Sequence, residues 1–149
     1  MRKINKIIIH CTDSEFGNVR IIDNWHKARG WKGIGYHYLI GNAYPEYENY
    51  KERIPAVEHD GLILEGRPIE QIGAHTLHHN LDSIGIALVG TNTFTRAQLH
   101  SLVKLLKMLL KQFDLSIADV YGHYEFNNWK SCPNINMNFF REEFFDLGK

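Results

Sequence analysis

The sequence lacks an excess of charge of either sign. Its 149 residues carry 17 lysines and arginines against 17 aspartates and glutamates, so the formal net charge is zero. Domains that bind nucleic acid usually present a strongly basic surface, which this balance does not provide. We therefore expect no nucleic-acid partner.

Long hydrophobic runs are also absent. Only Ile7-Ile8-Ile9 follows the basic residues at the start of the chain, and this run is too short for a secretion signal. No stretch approaches the roughly 20 apolar residues that a transmembrane helix needs. We expect synthesis in the cytoplasm and no membrane partner.

Cysteine is scarce and histidine is abundant. Cys11 and Cys132 are the two cysteines, too few for a secreted domain held together by disulfides. The nine histidines suggest a metal site, although most of them are expected to be surface or packing residues. Length and an ordinary content of hydrophobic (44%) and charged (23%) residues predict one compact domain over residues 1–149.

Hydrophobic periodicity predicts short strands alternating with helices. Runs of β-branched, aliphatic or aromatic residues predict strands at 7–9, 36–40, 62–64, 84–89 and 120–122. Apolar residues at helical spacing predict helices over 19–29, 95–113 and 138–147, the last with Phe139, Phe140, Phe144 and Leu147 inward. Thr95 and Gln98 match a capping box at the start of the second helix.

The predicted strands are too apolar to leave one face of a sheet in water, so helices must cover both faces. The expected fold class is therefore α/β, a single domain with a mixed central β-sheet flanked by helices. Residues 42–58, which contain two prolines and three tyrosines, predict a long loop inserted in this domain. The tyrosines could stack on sugar rings, or the insertion could simply pack against the domain.

Three residues far apart in the sequence have the chemistry of zinc ligands. His10 ends the first strand, and His123 and Cys132 frame a short loop near the C-terminus. A hydrolytic zinc site uses three protein ligands and keeps a fourth position for water. A sheet could bring the three together, but their spacing alone also suits ordinary packing residues.

Six short sequence motifs occur in the order found in one enzyme family. They are Ile9-His10-Cys11-Thr12, Trp25 to Trp31, Gly35-Tyr36-His37-Tyr38, Gly73-Ala74-His75, Ser83-Ile84-Gly85-Ile86 and Gly122 to Pro133. Together they resemble the type-2 N-acetylmuramoyl-L-alanine amidases, and above all the phage lysozyme-type amidases and the peptidoglycan recognition proteins. This resemblance implies the amidase fold and a single Zn²⁺ held by His10, His123 and Cys132.

The resemblance also implies roles for other residues. Tyr36 corresponds to the active-site tyrosine of the family, and Lys130 to a lysine near the cysteine of the phage enzymes. Lys130 would stabilise the oxyanion of the attacked amide, and Tyr36 would hydrogen-bond the water or the intermediate; either could move a proton. His75 and Asn80 would contact substrate. Cys11, next to His10 on a strand, is expected to be a buried thiol on the other face.

Two departures from the family pattern are present. One is the 42–58 insertion, and the other is a spacing from His123 to Cys132 that is one residue longer than in the phage enzymes.

The expected function is hydrolysis of the amide between N-acetylmuramic acid and L-alanine, by a monomeric phage or prophage endolysin that reaches the cell wall after release. A non-catalytic peptidoglycan-binding module, a cytosolic muropeptide-recycling amidase and a zinc-stabilised inhibitor of a partner enzyme remain alternatives. Recycling amidases use an aspartate where this chain has Cys132.

Overall fold

The computed structural model of the protein describes residues 2–147, with the side chain of Leu147 left out. Five strands form one sheet in the order β3-β2-β4-β1-β5. The strands are β1 (Lys6–Cys11), β2 (Tyr38–Ile40), β3 (Ile63–Glu65), β4 (Ser83–Leu88) and β5 (Val120–Gly122). Among the strand pairs of the described residues, β2–β3 alone is antiparallel, so the predicted mixed sheet is confirmed.

Helices cover both faces of this sheet. They are α1 (Val19–Ala28), α2 (Tyr47–Lys51), α3 (Arg96–Gln112), α4 (Met137–Phe139) and α5 (Phe145–Leu147), with a π-helical turn at Phe140–Phe144. Short 3-10 turns lie at Val57–His59, Ile117–Asp119 and His123–Glu125. Within residues 2–147, no helix is both long enough and apolar enough to cross a membrane.

Alternate residues of the strands enter two separate cores. On one face Ile7 and Ile9 pack with Leu102 and Leu106 of α3. On the other face Leu39 and Ala87 of β2 and β4 pack with Ile22 of α1. Because strand side chains alternate, His10 shares the α1 face with Ile8 rather than the α3 face. The three-layer α/β arrangement is as expected.

The start of α3 follows the sequence prediction. Thr95 accepts a hydrogen bond from the Gln98 backbone N–H at 3.0 Å, and the Gln98 side chain accepts one from the Thr95 N–H at 3.0 Å. This is the predicted capping box, which satisfies two backbone donors at the helix start. Gln98 also donates to the Val89 carbonyl at 2.8 Å, which ties the helix to the sheet.

The prediction of a loop without helix at 42–58 is wrong. The segment contains α2 and a 3-10 turn, and the side chain of Asn49 accepts a hydrogen bond from the Glu46 N–H, which stabilises the start of α2. Tyr47 and Tyr50 place their rings 5.3 and 6.1 Å from that of Phe16. Local capping and these aromatic contacts together explain a helix that its prolines and mixed charge conceal.

The predicted inward set of the last helix is partly wrong. Phe140 is buried, but Phe139 is 52% exposed and Phe145 is buried instead. Met137 and Phe140 lie three residues apart on one helical face, which leaves Phe139 to the side. The π-helical turn then adds a residue to the next turn and rotates Phe145 inward. The inward prediction for Leu147 concerns a side chain that lies outside the described part of the chain.

Candidate metal centre and groove

Sheet topology brings His10 and His123 together. Strands β1 and β5 are parallel neighbours with Ile9 opposite Gly122, so the residues that follow, His10 and His123, lie side by side. Their ring centroids are 4.6 Å apart. Both lie at the carboxyl edge of the parallel strands, where open α/β sheets place their sites.

Cys132 completes the cluster from the loop after β5. Its Sγ lies 3.9 Å from Nδ1 of His10 and accepts a hydrogen bond from the Cys11 backbone N–H at 3.1 Å. One donor atom from each of His10, His123 and Cys132 falls within 4.8 Å of the others. Two imidazoles and a thiol at this separation could hold a divalent ion of the zinc type.

Hydrogen bonds behind His10 fix which of its ring nitrogens faces the cluster. Ser83 donates its hydroxyl proton to the His79 carbonyl at 2.6 Å, so its oxygen can accept from Nε2 of His75 at 3.3 Å. Nδ1 of His75 is then an acceptor for Nε2–H of His10, 2.9 Å away. Nδ1 of His10 is left with its lone pair directed toward Cys132. This is the tautomer that a metal ligand needs, and the donor set therefore fits the ion.

Burial keeps His10, His123 and the supporting His75 neutral. It lowers the pKa of His10 and His75 well below the ordinary value, with the neighbouring imidazoles adding to the effect. The pKa of His123 is also lowered, by burial first and then by the positive charge of Lys130. Neutral imidazole is the ligating form, so this electrostatic environment favours metal binding.

The two cysteines differ in their relation to the donor cluster. Cys11 is buried and both thiols are free. A hydrogen bond with the Cys11 side chain, together with burial, raises the pKa of the Cys132 thiol. Metal binding at Cys132 would release the thiol proton. Cys11 belongs to the surroundings of the cluster rather than to the donor set.

The cluster lies at an open groove of about 660 Å³. Tyr36 lines this groove with its ring 5.2 Å from that of His10, and Lys130 lines it as an exposed cation. Burial, followed by the nearby Cys132, raises the pKa of the Tyr36 hydroxyl. Tyr36 therefore stays protonated at neutral pH and can act as a hydrogen-bond donor.

His75 and Asn80 also line the groove, but both have structural partners. His75 hydrogen-bonds His10 as described above. The Asn80 side-chain oxygen accepts from the backbone N–H groups of His75 and Thr76 at 2.9 and 2.8 Å. Direct contact of either residue with substrate stays a prediction, whereas support of His10 by His75 is a role that the sequence did not indicate.

Sequence reasoning also missed Gly85 and His26. A Cβ on Gly85 would lie 2.6 Å from the His75 ring, so this glycine of the Ser-Ile-Gly-Ile motif makes room for that imidazole. His26 lines the groove, and its Nδ1 accepts from the Gly35 N–H at 2.8 Å. The position of Gly85 within the Ser83-Ile84-Gly85-Ile86 motif was the available signal for the first of these.

A smaller cavity of about 290 Å³ continues the groove past His123. It shares Thr76, Leu77, His123, Asn127 and Trp129 with the groove. None of the tyrosines of the 42–58 insertion lines either cavity. The smaller cavity is walled by residues 76–78 and 126–129 together with His123.

The sheet order and the donor cluster define a class: single-sheet α/β domains with a metal-type site at the carboxyl edge of their parallel strands. The model of the N-acetylmuramoyl-L-alanine amidase family matches residues 1–135. The chain belongs to the N-acetylmuramoyl-L-alanine amidase family.

Individual relatives agree with this assignment. The chain is 31% identical over 142 residues to the endolysin of Escherichia phage T7, covering 88% of this chain and 81% of that protein. The structure of the N-acetylmuramoyl-L-alanine amidase LysC from Clostridium intestinale URNW superposes with a TM-score of 0.75 at 30% identity, over 93% of this chain and 81% of that one. A peptidoglycan recognition protein of the LCa–LCx ectodomain complex, solved with tracheal cytotoxin, gives 0.73 at 26% identity, over 96% and 84%.

Proposed function

We propose that this chain is a zinc-dependent N-acetylmuramoyl-L-alanine amidase of the endolysin type, which hydrolyses the amide between N-acetylmuramic acid and L-alanine in peptidoglycan. The observation that carries the proposal is the convergence of His10, His123 and Cys132 within 4.8 Å at an open groove. Membership of the amidase family and the likeness to phage endolysins support the substrate and the bond that is cut.

His10, His123 and Cys132 would hold the Zn²⁺. A bound zinc would supply Lewis-acid chemistry, polarising the amide carbonyl and making a water molecule acidic enough to attack it. His75 keeps His10 in its ligating tautomer through the 2.9 Å contact of the two rings. The chain's own contribution is thus a preorganised set of two neutral imidazoles and one thiol that loses its proton on metal binding.

Tyr36 and Lys130 would act on the charge that develops on the amide. Because Tyr36 retains its proton, its hydroxyl can donate a hydrogen bond to the carbonyl oxygen as that oxygen becomes negative. Lys130 is a cation of the groove on the loop that carries Cys132, two residues before the thiol. It can stabilise the same oxygen and give a proton to the alanine nitrogen as the C–N bond breaks and the nitrogen takes the electron pair.

Incubation with a purified disaccharide-peptide tests the proposal. The zinc-loaded chain should release the free stem peptide, identified by mass, and a chelator should abolish the release until zinc is restored. His10→Ala and Cys132→Ala should each abolish turnover, whereas His100→Ala on the exposed side of α3 should leave it unchanged.

Variants of the other groove residues separate binding of the ion from chemistry. Lys130→Ala and Tyr36→Phe should slow turnover, by about 10²- to 10³-fold where an oxyanion donor is lost, with zinc still bound. Full turnover by Cys132→Ala would contradict the ligand assignment. Tight binding of the muropeptide without any cleavage would instead indicate a recognition module.

A further inference from the structure

The cavity beyond His123 shares part of its lining with the groove but differs from it in charge. The larger groove includes the charged residues Arg29, Lys130 and Asp13. The smaller cavity is lined by apolar, aromatic, amide, hydroxyl and imidazole side chains, with no Asp, Glu, Lys or Arg among them. A substrate with one charged and one uncharged arm would therefore bind across His123 in one direction.

Trp129 of this cavity is unusually exposed. It is 95% exposed, although a tryptophan normally buries most of its large ring. Its backbone is held in place, because its N–H donates to the Asn127 side chain at 3.0 Å and the Lys130 N–H donates to the Asn127 carbonyl at 3.0 Å. A fixed loop thus presents a free indole face to solvent next to the metal-type donors.

The rest of the cavity complements this ring. Leu77, 76% exposed, adds a second apolar surface. Phe126 is anchored by ring contacts to His79 and Tyr121 at 4.2 and 5.0 Å, so it forms a stable wall. Asn127 and Asn128 supply amide groups, which can hydrogen-bond hydroxyl and acetamido groups. An aromatic face combined with neutral polar side chains is suited to an uncharged sugar ring.

We propose that the cavity lined by Trp129, Phe126, Leu77 and Asn128 is a saccharide subsite for the N-acetylmuramic acid side of the substrate, with Trp129 as its stacking platform. The inference rests on the proposed amidase function and adds the orientation of the substrate. The carboxylate-bearing stem peptide lies in the larger groove, toward Arg29 and Lys130. Trp129 belongs to the loop between His123 and Cys132, so the platform is joined directly to the metal-type donors.

Two substrates test the subsite. The first is a disaccharide-peptide, and the second is a D-lactoyl-peptide that keeps the same scissile amide and stem peptide but has no sugar. Trp129→Ala in the zinc-loaded chain should lower kcat/KM about tenfold for the first substrate, because an aromatic contact of this kind is lost, mainly through a higher KM. It should leave the second substrate unchanged, and Trp129→Phe should restore most of the loss.

Controls separate this proposal from the amidase proposal and from misfolding. Leu81→Ala, at an exposed leucine that lines neither cavity, should change neither substrate. Failure of the wild-type chain to cleave either substrate would overturn the amidase proposal itself. Equal losses on both substrates, or no loss on either, would overturn the subsite alone.

A binding readout does not depend on turnover. In the Cys132→Ala variant, addition of the disaccharide without peptide should change the tryptophan fluorescence. The same addition to a Cys132→Ala, Trp129→Phe double variant should leave the emission unchanged. A signal that persists without Trp129 would contradict the stacking role.

Discussion

At the scale of single residues, the hydrogen bonds that orient His10 are as important for metal binding as the donor atoms themselves. His10 can present only one nitrogen to the cluster, and the chain Ser83–His75–His10 determines which one. Groups that hydrogen-bond a ligating histidine fix its tautomer and raise its basicity. His75 is therefore a positioning residue for the proposed metal site.

His75→Leu removes the nearer acceptor for Nε2–H of His10, at 2.9 Å, and leaves the Thr76 hydroxyl at 3.3 Å, while an apolar side chain of similar bulk fills the site. We expect the affinity for Zn²⁺ to fall roughly ten- to hundredfold, measured by competition with a chromophoric chelator. His75→Gln, which offers a carbonyl oxygen to the same N–H, should lose less. Unchanged affinity in His75→Leu would show that His10 holds its orientation without this partner.

At the scale of elements, α3 supports the sheet from the side opposite His10. Its capping residue Thr95 accepts from Gln98 and also donates its hydroxyl to Asp60 at 2.6 Å, just before β3. One side chain thus joins the helix start to the β2–β3 connection. Neither Thr95 nor Asp60 lines the groove, so stability and activity can be separated here.

Thr95→Ala should lower the free energy of unfolding by about 1–2 kcal/mol, because a helix cap and its second hydrogen bond are lost. Urea denaturation followed by circular dichroism would measure the change. The exposed Thr93 provides a matched control, since Thr93→Ala should be close to neutral. Muropeptide turnover below the unfolding transition should be the same for both variants; a selective loss in Thr95→Ala would imply coupling between the cap and the groove.

At the scale of the whole molecule, buried imidazoles make the fold sensitive to acid. Burial lowers the pKa of His37 to about 4, and burial together with the charges of Arg29 and Arg67 lowers that of His26 to about 4. In the unfolded chain both groups bind protons near their ordinary value of 6.5. The unfolded state therefore takes up more protons as the pH falls from about 6.5 to about 4, and stability falls with it.

Metal-free protein should lose roughly 2 kcal/mol of stability for each of these two histidines between about pH 7.5 and pH 5. Urea midpoints at the two pH values, both with chelator present, would measure the loss. In His37→Gln the difference between the two pH values should be smaller, whatever the absolute stability of the variant. The same difference in the variant and the wild type would rule out His37 as a source of the acid sensitivity.

Most of the strands, helix α3 and the candidate zinc ligands could be predicted from local sequence signals. The apolar runs indicated the buried strands, the spacing of leucines and the Thr95–Gln98 pair indicated α3, and residue chemistry identified His10, His123 and Cys132 as possible zinc ligands. Such signals are readable because period and capping depend on neighbours along the chain. Helix α2 and the π-helical turn were missed, since aromatic packing and a shift in helix register decide them.

Tertiary structure alone decided how these parts act together. Parallel pairing of β1 with β5 sets His10 beside His123, and the loop after β5 returns Cys132 to the same edge. The hydrogen-bonded support of His10 by His75 and the exposed ring of Trp129 beside the groove depend on distances between residues far apart in the sequence. A sequence pattern carries the identity of each side chain, but proximity across the sheet arises only when the strands pair.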